Sequence, residues 1–425
     1  MKYLVVILLV AAAFPTHAQQ RPVLRYPALV RKFYDEKPPG LFWLGPDSNT
    51  RSLRAQLWAF IDSSRFFGLD SDRYHYPVIR GAGIDNATAV ERLPAGVVDT
   101  LLTDALVSFC KDLHEGSGNY DQPGFDDYRV QSGEFNKLLM TELGTGAQLA
   151  AIVRSVEPRT AAYLACRRAL QRELDSNDRV PEIKMLALSL DYYRWMAQFG
   201  FSKFIVVNIA SANLSYYDGD SLRLKMKVVA GKPSTPTPRF AARCTEVVLY
   251  PYWNVPRRIA IKEFRPLFKA NPSMVNELGM QIVDAHEKVL DPQLLAWPQF
   301  SGENFPYRLR QVTGCDNALG VIKFELTDPY GVYMHDTNLK SAFASSRRYY
   351  SHGCIRLEKP FLLAKTIVGD QLDTMFLTEC RKDQQPRRIA LRHAVPVLVV
   401  YMTAEADASG RITWYKDPYH LLANK

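Results

Sequence analysis

The sequence lacks most of the short signatures that tie a chain to a cofactor. It has no Cys-x-x-Cys pair, no His-x-x-x-His, no glycine-rich phosphate loop and no G-x-S-x-G. Those absences remove the tight zinc or redox pair, the nucleotide cradle and the serine elbow of the hydrolases. Past the N-terminal segment there is no uninterrupted apolar run of about 18 residues, the length a membrane helix needs. Cysteine is sparse, at six. Net charge is +9, yet lysine and arginine are dispersed, with only short clusters such as Arg381–Arg388. Nucleic-acid binding would rest on charge alone and is not expected. The positive balance suits a partner that bears carboxylates.

What is present is an ordinary globular composition. The 425 residues are 47% hydrophobic and 23% charged, which at roughly 150 residues per domain suggests two or three domains. The segment "MKYLVVILLVAAAFPTHAQQ" carries one lysine, an apolar run from Leu4 to Phe14 and a small-residue site at Thr16–Ala18. It reads as a secretory signal over 1–18, with no lipobox cysteine after it. The mature chain is therefore expected in the periplasm, with no integral membrane segment. Cys110, Cys166, Cys244, Cys315, Cys354 and Cys380 are widely spaced. An oxidising compartment permits pairing, and Cys244 with Cys315 is one candidate pair.

The hydrophobic period changes near Phe201. Before it, Thr50–Asp70, Ala95–Gly116, Arg159–Leu174 and Pro181–Phe199 repeat apolar residues at helical spacing. Trp195 and Tyr192–Tyr193 read as core. After it, runs rich in Val, Ile and Tyr alternate with turns such as Asp218-Gly219-Asp220. Arg257–Leu290 returns to a helical pattern. The fold class is thus α+β: a mostly helical N-terminal domain over 19–200 and a β-rich domain over 201–425. The second carries a helical insertion at about 257–305.

One stretch concentrates chemistry. "YMHDTNLKSAFASSRRYYSHGCIRLEKP" places His335 nineteen residues before Cys354, which sits between Gly353 and Ile355. A free thiol is mostly protonated at neutral pH, and a neighbouring imidazole raises the reactive fraction. Gly353 permits backbone geometry that brings amides toward a developing oxyanion. Spacing leaves other readings open: a satisfied histidine beside a buried cysteine, or zinc held by Cys354, His335, His352 and Asp336. Arg347–Arg348 and Tyr349–Tyr350 read equally as part of the site or as simple packing and solvated face.

The motif "HDTNLKSAFASSRRYYSHGCIR" resembles the signature of the L,D-transpeptidases, cysteine enzymes that cross-link bacterial peptidoglycan. "YPYWNVPRRIA", "YRLRQ" and "NALGVIKF" extend the likeness to that family's large, scaffold-bearing, YcbB-like subgroup. The resemblance implies a helical scaffold domain ahead of an L,D-transpeptidase catalytic domain (YkuD-type), with the insertion as a capping subdomain. It implies Cys354 as nucleophile and His335 as general base, with Ser351 hydrogen-bonding His335. Gly353, the Cys354 amide and Tyr333 would face the oxyanion. His352, Arg356, Trp253 and Asn317 would contact or orient substrate, with Trp253 at the mouth. Partners would be peptidoglycan tetrapeptide stems as donor and acceptor, with wall synthases beside them. The product would be a 3→3 cross-link. No metal and no cofactor are implied.

Two features depart from that pattern. Relatives tend to read Gln-x-Pro-Gly-Pro where this chain has "QVTGC", with Thr313 and Cys315 at the proline positions. No peptidoglycan-binding repeat appears in the N-terminal half. The same acyl-enzyme would also serve an L,D-carboxypeptidase, a protein-anchoring enzyme or a D-amino-acid exchange enzyme. A catalytically silent wall-binding scaffold is the alternative of another class.

Overall fold

The computed structural model describes residues 23–37, 40–83, 93–118, 149–176, 180–301, 304–380, 384–407 and 409–422, with 120, 133, 136–137 and 141 besides. The expected signal over 1–18 lies outside the described residues. No helix among them is long and apolar enough to cross a membrane.

The N-terminal half is helical. Helices α1 (Pro27–Asp35), α2 (Ser48–Asp62), α3 (Tyr76–Gly83) and α4 (Ala95–Glu115) enclose a core that includes Phe33, Leu57, Ile61, Tyr74 and Phe109. Asp47 caps α2 by accepting from the Thr50 amide at 2.9 Å, which satisfies one of the free donors of the first turn. The sequence period runs on to Gly68, but α2 stops at Asp62. The Ser63 hydroxyl turns back to the Ala59 carbonyl at 2.6 Å and competes with the helical ladder. A short 3-10 turn, Ser64–Phe67, follows and Gly68 closes it at φ +69.

Helix α4 is more polar inside than its apolar period implies. Asp99 is buried and accepts from the amides of Phe42, Trp43 and Leu44 at 3.0, 2.7 and 3.2 Å. Asp104 accepts from the amides of Arg25 and Tyr26 and contacts His75. Asp112 takes the Arg25 guanidinium, Arg73 and the Tyr74 hydroxyl. Chain before α1 and between α1 and α2 has no ladder of its own, so Asp104 and Asp99 supply the acceptors its backbone needs, while Asp112 holds side chains.

The C-terminal half is built on nine strands: β1 (Lys203–Asn208), β2 (Asn213–Asp218), β3 (Ser221–Gly231) and β4 (Phe240–Leu249) belong to it. An insertion contributes β5 (Trp253–Asn254), β6 (Met280–Val283), β7 (Val289–Leu290) and β8 (Arg308–Gln311). The main sheet resumes with β9 (Ile322–Leu326), β10 (Met334–His335), β11 (Tyr349–Ser351), β12 (Ile355–Leu357) and β13 (Arg387–Val400). Its order is β11-β3-β12-β10-β9-β4-β13-β1-β2, and β2 also pairs β3, so the sheet curls back on itself. Gly219 makes the β2–β3 turn at φ +58, a conformation that favours glycine. A hairpin of β14 (Ala404–Ala406) and β15 (Ile412–Trp414) packs Ala404 and Ile412 against Tyr163 and Leu170 of the helix Ala161–Ser176. The helix Val180–Ala197 sends Tyr192 and Trp195 into the main core.

The insertion is less helical than its sequence pattern. Helix covers residues 257–270, with a π-turn at Ala260–Phe264, and then Met274–Glu277. Met280–Leu290, expected to be helical, forms β6 and β7. These strands join a separate four-stranded sheet, β5-β8-β6-β7. Its own core of Phe268, Trp297 and Phe305 makes it a capping subdomain.

Cysteine pairing also differs from expectation. Cys315 bonds Cys380, with a Cα–Cα distance of 5.3 Å across a separation of 65 residues. Cys244 is free, as are Cys110, Cys166 and Cys354. Cys244 lies in the main core on β4, and Cys315, packed against the same core, is committed to Cys380.

Asp99→Asn should destabilise the N-terminal half by about 3 kcal/mol, because it turns an amide toward donors that need an acceptor. Denaturant unfolding checks this. Asp35→Asn, at the end of α1, serves as the reference substitution.

Candidate active site

The parallel pairing of β10 with β12 aligns Met334 with Ile355 and His335 with Arg356. Side chains alternate faces along a strand. Met334, Ile355 and Leu357 fill the main core. Tyr333, His335, Cys354 and Arg356, one position out of phase, all line one cavity of about 860 Å³. The opposite wall is the insertion, through Trp253, Ile259, Lys262, Glu263 and Phe264. That volume is typical of a small-molecule cleft.

His335 is buried, and its Nδ1 bonds the Asp336 carbonyl. A carbonyl only accepts, so Nδ1 carries the proton and Nε2 presents its lone pair. Burial lowers the imidazole from its ordinary 6.5 to about 3, helped by the charges of Arg356 and Lys323. His335 is therefore neutral at working pH. Cys354 is half-buried. Burial raises its thiol, while hydrogen bonds from the Tyr333 main chain and hydroxyl and the charge of Lys323 oppose that rise. The resting pair is thus neutral thiol and neutral imidazole.

Tyr333 connects the two walls. Its hydroxyl lies near both the Cys354 sulfur and the Trp253 side chain. Its ring stands edge-on to His335 at 5.5 Å and carries the Lys323 ammonium at 4.2 Å. Burial, then the Cys354 charge, pushes its own ionisation upward.

The loop before Cys354 is tied from below. The Ser351 hydroxyl donates to the Cys354 carbonyl at 2.6 Å and accepts from the Gly353 amide at 3.1 Å. Ser351 is therefore engaged within its own loop and does not bond His335, because the imidazole Nδ1 is already taken by Asp336. For the same reason the Gly353 amide is occupied and does not face an oxyanion. Gly353 sits at φ +121, and its carbonyl accepts from Thr237 at 2.8 Å. Thr237 in turn accepts from the Gly231 amide at 2.9 Å, which braces the loop on the end of β3. Thr237 went unnoticed in the sequence because it lies 117 positions before Cys354 and only the fold joins them.

Three further residues divide. Arg356 lines the cavity, and its buried Nε has no hydrogen-bond partner among the described residues. His352 also lines the cavity, with Nε2 at 2.8 Å from Glu263 of the cap. Asn317 does not belong with them. It is buried, its Nδ2 donates to the Val312 and Pro251 carbonyls, and its Oδ1 accepts from the Leu319 amide. It shapes the loop between β8 and β9, with its polar atoms spent on backbone.

Asp336, Arg348 and the tyrosines beside it are structural. Asp336 accepts from the Val321 amide at 3.1 Å and pairs with Lys340. Gly320 lies so close that a Cβ there would stand 2.4 Å from the Asp336 Cγ. Arg348 is buried and donates to the Val228, Ser211 and Ala212 carbonyls. Tyr349 and Tyr350 donate to the Ala210 and Ala342 carbonyls. Among the described residues no cluster of His, Cys, Asp and Glu suits a metal ion.

Residues 202–373 match the model of the L,D-transpeptidase catalytic domain, and residues 28–170 match that of a scaffold domain. A Haemophilus influenzae protein provisionally named an L,D-transpeptidase is 28% identical over 386 residues, 86% of this chain and 75% of that protein. An L,D-transpeptidase structure from Mycobacterium smegmatis is 16% identical with a TM-score of 0.23, over 47% of this chain and 58% of that one. The catalytic domain of the Enterococcus faecium enzyme, acylated by ertapenem, is 15% identical with a TM-score of 0.22. There the match covers 47% of this chain and 96% of that one.

Because His335 is held neutral, it binds a proton in the unfolded chain between 6.5 and about 3 but not in the folded one. Its contribution to stability is complete above that window and is lost as pH falls through it. Thermal unfolding followed from pH 7 to pH 4 should show a falling Tm, with a shallower fall in His335→Asn.

Proposed function

We propose, from the match of residues 202–373 to the L,D-transpeptidase catalytic domain and of residues 28–170 to a scaffold domain, that this protein forms 3→3 cross-links between peptidoglycan stems through a Cys354 acyl-enzyme. The observation that carries the reading is the shared face of β10 and β12. It lines one cavity with a thiol, a neutral imidazole of the required tautomer and, beside the sulfur, a tyrosine hydroxyl.

The chemistry follows from those groups. As the Cys354 sulfur attacks the carbonyl of the third stem residue, His335 takes its proton at Nε2. The oxyanion develops beside the Cys354 amide, which makes no hydrogen bond among the described residues, and beside the Tyr333 hydroxyl. Collapse of the intermediate breaks the C–N bond. His335 returns the proton to the departing D-alanine amine. An acceptor amine then attacks the thioester, forming the new C–N bond as the C–S bond breaks. Arg356, with a free buried N–H, suits a carboxylate of the stem. Trp253 acts through Tyr333, at the cavity wall.

Other parts of the reading rest on sequence. The apolar segment over 1–18 supports export to the periplasm. The scaffold domain supports placement in the large subgroup, with boundaries near 200 and an insertion over about 257–305.

Purified protein incubated with disaccharide-tetrapeptide should yield a cross-linked dimer by mass spectrometry, and Cys354→Ala should yield none. Tripeptide without dimer would move the reading to a carboxypeptidase. No adduct on Cys354 would favour the silent scaffold. Tyr333→Phe should slow acylation about 10- to 100-fold, the range for one hydrogen bond to a charged group. It should also move the alkaline rise of the acylation rate to higher pH.

A further inference from the structure

The cavity is electrically one-sided. Lys232, Arg258, Lys262 and Arg356 line it, and Glu263 is the one carboxylate among the described residues that do. Glu263 belongs to the π-turn Ala260–Phe264 of the cap, a local widening of the helix that is frequent at functional sites. Its Oε1 accepts from Nε2 of His352 at 2.8 Å. Both side chains are partly open, at 50% and 36% exposure, so an incoming molecule can reach them. His352 lies two residues before the Cys354 nucleophile. The carboxylate is therefore delivered from the cap onto the nucleophile's own loop.

We propose that Glu263, steadied by His352, is the subsite for the acceptor: it receives the ammonium group of the incoming amine and orients it toward the thioester. The proposal rests on the acyl-transfer reading above and adds to it the means by which the two substrates are told apart. Donor and acceptor stems both carry carboxylates, which four cations attract. They differ in the group presented to the sulfur: the acceptor presents an amine, which is an ammonium ion in neutral water and is repelled by the same cations. One carboxylate on the cap side gives that ammonium a distinct place. Water can hydrogen-bond a carboxylate but carries no charge and lacks the ion-pair gain of an ammonium, so Glu263 biases the thioester toward aminolysis over hydrolysis. The step balances simply. The ammonium loses one proton to Glu263 and thence to solvent. The freed lone pair forms the C–N bond as the C–S bond breaks. The second proton passes through His335 to the departing Cys354 sulfur.

The full chain, Glu263→Gln and Glu263→Asp would each be incubated with disaccharide-tetrapeptide over a range of concentrations. Mass spectrometry would follow the Cys354 acyl-enzyme, the cross-linked dimer and the hydrolysed tripeptide together. The expected result is a dimer-to-tripeptide ratio about tenfold lower in Glu263→Gln, the loss of one charge-assisted hydrogen bond. The concentration for half-maximal cross-linking should rise, and Glu263→Asp should recover most of the ratio. An unchanged ratio in Glu263→Gln would overturn the proposal. So would slower acylation with the ratio intact, which would make the pair a clasp for the cap. Absence of any acyl-enzyme on the unmodified protein would instead overturn the acyl-transfer reading, and this proposal with it.

Discussion

The parallel contact between β10 and β12 is the constraint on which the site depends. It is only two residues long in each strand, yet it decides which side chains meet. Because strand side chains alternate, a slip of one position would send His335 and Cys354 into the core and Met334 and Ile355 into the cavity. The register is held because Met334, Ile355 and Leu357 are fully buried in the main core. Burial of each such side chain is worth about 2 kcal/mol, and the slip would also bury two polar groups. Packing on one face thus fixes chemistry on the other.

The cap is attached to this arrangement by polar contacts from opposite ends. Trp253 reaches Tyr333, and Glu263 reaches His352. The loop after β8 is anchored separately. Cys315 is bonded to Cys380, and Thr313 donates to the Gln384 carbonyl at 2.7 Å. Thr313 and Cys315 are thus held to one neighbouring segment by a hydrogen bond and a covalent tie. A cross-link closing 65 residues restricts the unfolded chain by about 4 kcal/mol in the chain-entropy account.

The long periodic segments were legible in the sequence, and the short ones were not. Ala95–Glu115 appears as read, because fifteen of its side chains are buried and the period is sustained. The π-turn and the strands Met280–Val283 and Val289–Leu290 were read as helix. Over so few residues an apolar run fits either period, and for the two strands pairing decides the outcome, Met280–Val283 with β8 and Val289–Leu290 with Met280–Val283. At the site, His335 and Cys354 stood out by residue type, whereas the partners of Ser351 and Asn317 were set by backbone geometry that no motif encodes. Glu263 and Thr237 carried no local signal. One sits in a charged helix and the other in a Pro-Thr loop, and each reaches the catalytic loop only through the fold.

The low basicity of His335 then has a place in the scheme. A buried imidazole beside Arg356 and Lys323 is a poor base, and the Cys354 thiol is raised by burial as well. Neither group is poised alone, which protects the thiol from adventitious reaction. Much of the opposing field comes from Arg356, whose buried Nε lacks a protein acceptor among the described residues. A substrate carboxylate at that position would offset the cationic charge facing His335 and raise its basicity when the carbonyl arrives. Arg356, one of the cations that make the cavity suit an acidic ligand, also lowers the basicity of His335, and the sheet register that joins His335 to Arg356 couples the two effects.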